Sequence, residues 1–218
     1  MNDLSLLLRR ETPADALAVE TLTREAFWNL HAPGCNEHYL AHVLRDSDAF
    51  IPELDFVAEM DGRIAGNIMY AKSVVALDAG GELPVITFGP VSVLPELQRQ
   101  GVGRALIGHT LTLAKRMGFP AVFIYGDPAY YSRLGFQPAE DFRIGTWDNL
   151  YHDSLQVYEL QPDALKNAPG RFVEDSVYRI DEAAAAAFDQ SFPAKEKLSG
   201  TPSQQRFLKA IAMHKPRG

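Results

Sequence analysis

The 218-residue chain has a single cysteine, Cys35, which rules out an internal disulfide framework and suits a reducing compartment. It has no run of about 18 apolar residues, the length a membrane-spanning helix requires. Its start, MNDLSLLLRRETPAD, lacks a cationic segment ahead of the short apolar stretch, unlike an export signal. These absences predict a cytoplasmic protein with no membrane partner. A basic surplus is also missing: the formal net charge is −7, which argues against the phosphate-neutralising surface of a nucleic-acid binder. The charge is uneven, because Lys195, Lys197, Arg206, Lys209, Lys215 and Arg217 face only Glu196 in the last segment, leaving about +5 there and about −12 elsewhere. That tail reads as a solvated helix, or as a surface that recruits an acidic partner.

What is present is an ordinary globular balance, 46% hydrophobic and 22% charged, enough to bury one sizeable core. LSLLLRRE reads as an opening strand. TPADALAVETLTREAFWNL reads as a helix with Thr12 as N-cap, Pro13 in the first turn, and Val19, Leu22 and Ala26 at helical spacing. A second helix is expected in NEHYLAHVLRDS. The Asp61-Gly62 step between two β-prone runs predicts a hairpin, because its turn needs residues that tolerate positive φ. LPVITFGPVSVL then reads as a strand, GVGRALIGHTLTLAKRMG as a helix stopped by Gly118, PAVFIYG as a strand, PAYYSRLGF as a short helix and DSLQVYELQ as a strand. This order predicts an α/β fold with a mixed sheet. From about Gln161 the chain changes character. The expectation is a 1–160 domain followed by a 161–218 extension that packs on the core or trails it, with a hairpin in GRFVEDSVYRI, a helix in DEAAAAAFDQ and another in TPSQQRFLKAIAMHK behind a Thr201/Gln204 capping box.

The segment FGPVSVLPELQRQGVGRALIGHTL carries the chemistry. A glycine-containing loop between a strand and a helix turns several backbone N–H groups one way, and the helix dipole adds partial positive charge. Gly101 and Gly103 have no Cβ to hold a pyrophosphate off, while Gln98, Arg99 and Arg104 offer side-chain donors. Val102, Leu106, Leu113 and Met117 are placed to pin the helix to the core. No Gly-Lys-Ser/Thr closes the loop, which excludes a Walker A motif. A dinucleotide fingerprint fits in part, with Asp127 as its ribose acid, but Leu106 replaces the third glycine.

The longer pattern Gln98-Arg99-Gln100-Gly101-Val102-Gly103 resembles the acyl-CoA pyrophosphate loop of the GNAT superfamily of N-acetyltransferases. AVFIYGDPAYYSRLGFQPA resembles that superfamily's later strand and helix, and GDPAYYSRLGF is similar to the YhbS-type bacterial acetyltransferases. The resemblance covers about residues 4 to 160. It implies a mainly antiparallel central sheet whose central strands splay, flanked by helices. It also implies acetyl-CoA as cosubstrate, with the main chain of Val91, Ser92 and Val93 holding the pantetheine arm. Gln98, Arg99, Gln100, Gly101, Val102, Gly103 and Arg104 would surround the pyrophosphate, and Tyr131, four residues before Gly135, would be the general acid. The implied reaction is direct acetyl transfer to a primary amine acceptor in a ternary complex. A catalytically weak CoA-binding module is the alternative, prompted by the lack of an obvious base.

For that base the strand PVITFGPVSV offers no carboxylate, leaving Glu37, Glu53 and Asp127 as candidates; Asp127 could instead contact CoA or cap the helix that follows. His31, Cys35, His38 and His42 gather in HAPGCNEHYLAH, the last two at i, i+4 as metal ligands often are. The pattern lacks the Glu of H-E-x-x-H, so the reading is no metal; the resemblance, in which the first two helices and their loop cover the substrate opening, implies that these residues line the acceptor side. The appended segments make a homodimer reasonable.

Overall fold

A computed structural model describes residues 6–218; Leu4 and Ser5 of the expected first strand lie outside them. The chain opens with β1 (Leu6–Arg10), α1 (Ala16–Phe27) and α2 (Glu37–Leu44), followed by β2 (Phe56–Met60), β3 (Arg63–Leu77) and β4 (Glu82–Val93). Thr12 starts the first helical segment, its backbone N–H and hydroxyl both donating to Asp15 Oδ2, at 2.9 and 2.7 Å. Asp61 and Gly62 take φ of 51° and 74°, the two left-handed residues of a tight hairpin turn between β2 and β3.

Then come α3 (Val102–Arg116), β5 (Ala121–Tyr125), α4 (Pro128–Tyr131), the short strands β6 (Gln137–Pro138), β7 (Ile144–Gly145) and β8 (Leu150–His152), and β9 (Leu155–Glu159). Last are β10 (Gly170–Glu174), α5 (Glu182–Asp189), α6 (Pro202–Ile211) and β11 (His214–Pro216). Among the described residues the main sheet has nine strands in the order β1-β2-β3-β4-β5-β9-β6, with β10 joining β3 and β7. Pairing is antiparallel except for β4 with β5 and β10 with β7. The mixed, mainly antiparallel sheet expected from the sequence is therefore present.

Strand alternation divides the core between the two faces. Val122 and Ile124 of β5 meet α3 through Val102, Leu106, Ile107 and Ala114, while Ala121 and Phe123 meet Val75, Val85 and Phe172 on the other side. Met117, expected to pin α3, is 43% exposed; Ile107 and Ala114 take the inward positions instead. The helix approaches β3 closely at Gly66, where a Cβ would lie 2.8 Å from the Ser92 carbonyl oxygen and 3.1 Å from Val102 Cγ1. Gly66→Val will therefore cost about 1–3 kcal/mol in denaturant-measured stability, as overpacking does. An unchanged midpoint would contradict this packing.

Residues beyond 160 contribute β10 to the sheet and then cross α1 and α2. The hairpin expected in GRFVEDSVYRI does not form. Asp175 accepts from the Val177 N–H at 2.9 Å and caps a 3-10 turn at Ser176–Tyr178, so the chain leaves the sheet after one strand. The two expected helices do form, α6 behind its Thr201/Gln204 box. Much of the basic tail is bound internally: Lys195 pairs with Glu25 at 2.7 Å, Lys215 with Glu140 at 2.6 Å, and Arg217 with Asp78. Among the described residues no helix is long and apolar enough to cross a membrane.

Candidate functional site

The site begins where two neighbouring strands part. β4 and β5 pair only at Ile86–Val122 and Thr87–Phe123. Beyond that point β4 stays with β3, ending in the Leu94 N–H to Ala65 carbonyl bond of 2.9 Å, while β5 stays with β9 up to Tyr125–Leu155. Between Tyr70–Phe88 and Ile68–Val91, Gly89 and Pro90 of β4 oppose Met69 alone, a bulge that bends the strand as it separates. The edge of Phe88–Val93 turned toward β5 therefore has no strand partner, and its backbone is open to an extended ligand. The side chains of this edge point away from it. Ser92 is buried, its hydroxyl donating to Thr23 Oγ1 at 3.1 Å, and Val91 and Val93 pack toward α3.

The open edge runs into the loop before α3. Arg99 and Gly101 adopt left-handed φ of 61° and 94°, turning the chain into the helix. The Gln98 side-chain amide donates to the Val93 carbonyl at 3.2 Å and that of Gln100 to the Glu96 carbonyl at 2.9 Å, so both side chains brace the loop. The first helical bond is Ala105 N–H to Gly101 carbonyl, 2.9 Å. The N–H groups of Val102, Gly103 and Arg104 are thus left without intrahelical acceptors at the positive end of the dipole. Nothing lies within 4 Å of a Cβ position on Gly101, and one on Gly103 would be 3.5 Å from the Tyr130 hydroxyl. Tyr130, read from sequence as packing or acceptor lining, reaches over the helix start.

Tyr131 lies deeper. Asp127 caps α4, its Oδ1 accepting from the Ala129 N–H at 2.9 Å. The Tyr131 ring rests over Gly126, where any Cβ would collide with it, and is held by Phe88, Phe136 and Tyr130 at centroid distances of 6.1, 5.4 and 5.0 Å. Burial, reinforced by the neighbouring Tyr130 and Asp127, pushes its phenol well above the ordinary range. At neutral pH the phenol keeps its proton.

On the opposite face each histidine has a carboxylate beside it. His31 Nδ1 lies 3.3 Å from Glu37 Oε1, and His42 Nδ1 lies 3.0 Å from Glu20 Oε1. His38 stands between Cys35 Sγ at 3.4 Å and Asp189 Oδ1 at 3.1 Å. Burial first, then the charges of Glu37 and Asp189, push the Cys35 thiol up to about 12, which leaves it a poor nucleophile. His31, Cys35 and Glu37 line a cavity of about 130 Å³ with Phe27 and Pro33. Glu53 is exposed on the turn before β2, and Glu37 accepts from the Asn36 N–H at 3.0 Å. A carboxylate that the sequence reading did not single out, Glu174, is half-buried on β10 and raised by burial to about 7. Its signal in the sequence was the alternation in Gly-Arg-Phe-Val-Glu, which puts an acid on the face of a buried phenylalanine.

Comparison with known proteins agrees with this geometry. The acetyltransferase (GNAT) domain family matches residues 10–139. The uncharacterized N-acetyltransferase YhbS of Escherichia coli K12 is 33% identical over 168 residues, covering 76% of this chain and 93% of YhbS. The crystal structure of E. coli YhbS in complex with CoA matches with a TM-score of 0.72 at 28% identity, over 83% of this chain and 95% of that one. A GNAT family acetyltransferase from Brucella melitensis, solved in complex with acetyl-CoA, matches with a TM-score of 0.64 at 27% identity, over 80% and 98% of the two chains. The chain belongs to the GNAT family of N-acetyltransferases.

Proposed function

We propose that this acetyltransferase binds acetyl-CoA in the opening between β4 and β5 and transfers the acetyl group directly to a primary amine, without a covalent acyl-enzyme. The observation that carries the reading is the continuity of the unpaired β4 edge with the orphaned amides of α3. The main chain of Val91 and the Val93 N–H face the opening and offer donors and an acceptor to an extended amide-bearing arm, while Ser92, expected to share that role, turns its main chain to Asn67 of β3; the start of α3 receives the pyrophosphate. Val102, Gly103 and Arg104 supply backbone N–H groups there, with the Arg99 and Arg104 guanidinium groups adding charge, while Gln98 and Gln100 keep the loop in shape. Tyr131 donates its proton to the departing thiolate. The CoA and acetyl-CoA bound in the E. coli and Brucella relatives support the choice of donor.

Calorimetry with acetyl-CoA tests this reading. Gly103→Trp fills the space beneath the Tyr130 hydroxyl and covers the helix start, and it is expected to weaken binding at least about tenfold, the scale of a lost charge-assisted contact. Binding that is equally tight in the variant would move the cofactor elsewhere, and a folded wild-type protein that ignores acetyl-CoA would end the proposal.

A further inference from the structure

The side of the opening away from α3 is built partly by β10. Phe172 is buried, and strand alternation sets Glu174 on the same inner face, with Arg171 exposed on the other. Phe172 stacks on Phe123 at 4.7 Å and meets the Tyr125 ring at 6.1 Å. Directly across the strand pair from Glu174 is Ser73, whose hydroxyl is buried with no hydrogen-bond partner. Tyr178, four residues after Glu174, donates from its hydroxyl to the Gly89 carbonyl at 3.2 Å, at the bulge where β4 turns away from β5. Glu174 thus lies between the end of β5 and an aromatic group tied to β4, the two strands that form the opening.

The charges around it are few. Tyr125 and Tyr178 both feel Glu174, and burial, the larger cause, raises both phenols above the ordinary range, so they are neutral donors. Asp148 and Asp175 add negative charge on Tyr125 and Tyr178 respectively, and β3 and β4 present Ser73, Val85 and Thr87 to this side. Among the described residues Glu174 makes no ion pair and no side-chain hydrogen bond, and burial alone shifts it. A desolvated carboxylate without an internal cation is stabilised by one from outside.

We propose that Glu174, with Tyr125, Tyr178 and Ser73 around it, binds the acceptor amine as its ammonium ion and takes its proton. This rests on the acetyl-transfer reading above. The ammonium gives one proton to the Glu174 carboxylate, and the freed nitrogen lone pair bonds to the thioester carbon. The carbon–sulfur pair leaves on sulfur, which takes the Tyr131 proton. The second nitrogen proton restores the Tyr131 phenol through solvent, and Glu174 releases its proton to water, so amide, CoA thiol and one proton result. A base that titrates near neutrality suits this step.

The test follows CoA thiol release from acetyl-CoA with propylamine and with trifluoroethylamine, whose ammonium is already deprotonated at neutral pH. Glu174→Gln is expected to lower kcat/KM for propylamine at least about 30-fold at neutral pH, within the range of general-base catalysis. The wild-type pH limb, rising with a midpoint of about 7, disappears in the variant. The loss with trifluoroethylamine is several times smaller, and the calorimetric affinity for acetyl-CoA is unchanged. Equal losses with the two amines, or none, overturn the assignment while acetyl transfer stands. Wild-type protein that binds acetyl-CoA but acetylates neither amine overturns both. Should the variant not fold, NMR titration of the Glu174 carboxyl in wild-type protein decides: a midpoint below about 5, the range of an ordinary glutamate, refutes the site.

Discussion

Tyr131→Phe will lower kcat for amine acetylation about 100- to 1000-fold and leave acetyl-CoA affinity within about twofold, the signature of a lost general acid. The substitution removes one oxygen and keeps the ring, so the packing on Phe88, Phe136 and Tyr130 and the seat over Gly126 persist. On the proposed binding mode affinity is spared, because the loop from Gln98 to Arg104 lies outside this contact. The direction of the phenol's shift sharpens the test. Burial, then Tyr130 and Asp127, hold it above the ordinary tyrosine range, so its proton is retained to beyond about pH 10. The wild-type rate will therefore show no alkaline decline below that pH. On the proposed mechanism, a thiolate departing beside Tyr131 would be raised in the same direction, which would keep acid and leaving group matched. Rate loss confined to KM would instead make Tyr131 a packing residue.

The parts of this architecture set by local chemistry were legible from the residues. Positive φ at Asp61 and Gly62 is a demand of the hairpin turn, and the Thr12 and Thr201 starts are demands of unsatisfied helix N–H groups. Gly101 likewise takes the left-handed φ that turns the loop into α3. What escaped were features that no local pattern specifies. Met117 sits at a helical interval that fits the apolar stripe, yet the helix ends before it and leaves it at the surface. The partner of β10 lies about a hundred residues upstream on β3, so the local alternation that sets Glu174 on the face of Phe172 does not say what that face meets. Gln98 looks like a ligand donor in the sequence, and the resemblance sets Gln100 beside it, but the structure uses both side chains to brace the loop on Val93 and Glu96.

The anchoring of the last quarter of the chain was equally hidden, and Asp189→Ala will expose it by destabilising the protein about 3–5 kcal/mol, a fall in Tm of roughly 8–15 °C for a chain of this size. Arg24 of α1 is 2% exposed and directs its Nε to Asp189 Oδ1 at 2.6 Å, while its guanidinium carbon lies 4.2 Å from the Trp28 ring centroid. Removing the carboxylate leaves that guanidinium buried and unpaired, the costly half of breaking an interior ion pair. Burial would raise the Asp189 carboxyl, but hydrogen bonding and charge from Arg24, together with His38, bring it below the ordinary range. A depressed carboxylate stabilises the fold above its unfolded pKa and loses that contribution as pH falls through the folded value. The gap between wild type and variant will be full at pH 7 and narrow below about pH 4. A gap that does not change with pH would mean that packing, not charge, fastens α5. That distinction bears on function, because α5 follows directly on Tyr178 and Glu174. If the ion pair holds α5 down and the amine and acetyl-CoA bind as proposed, loosening it will raise KM for the amine and leave acetyl-CoA affinity unchanged.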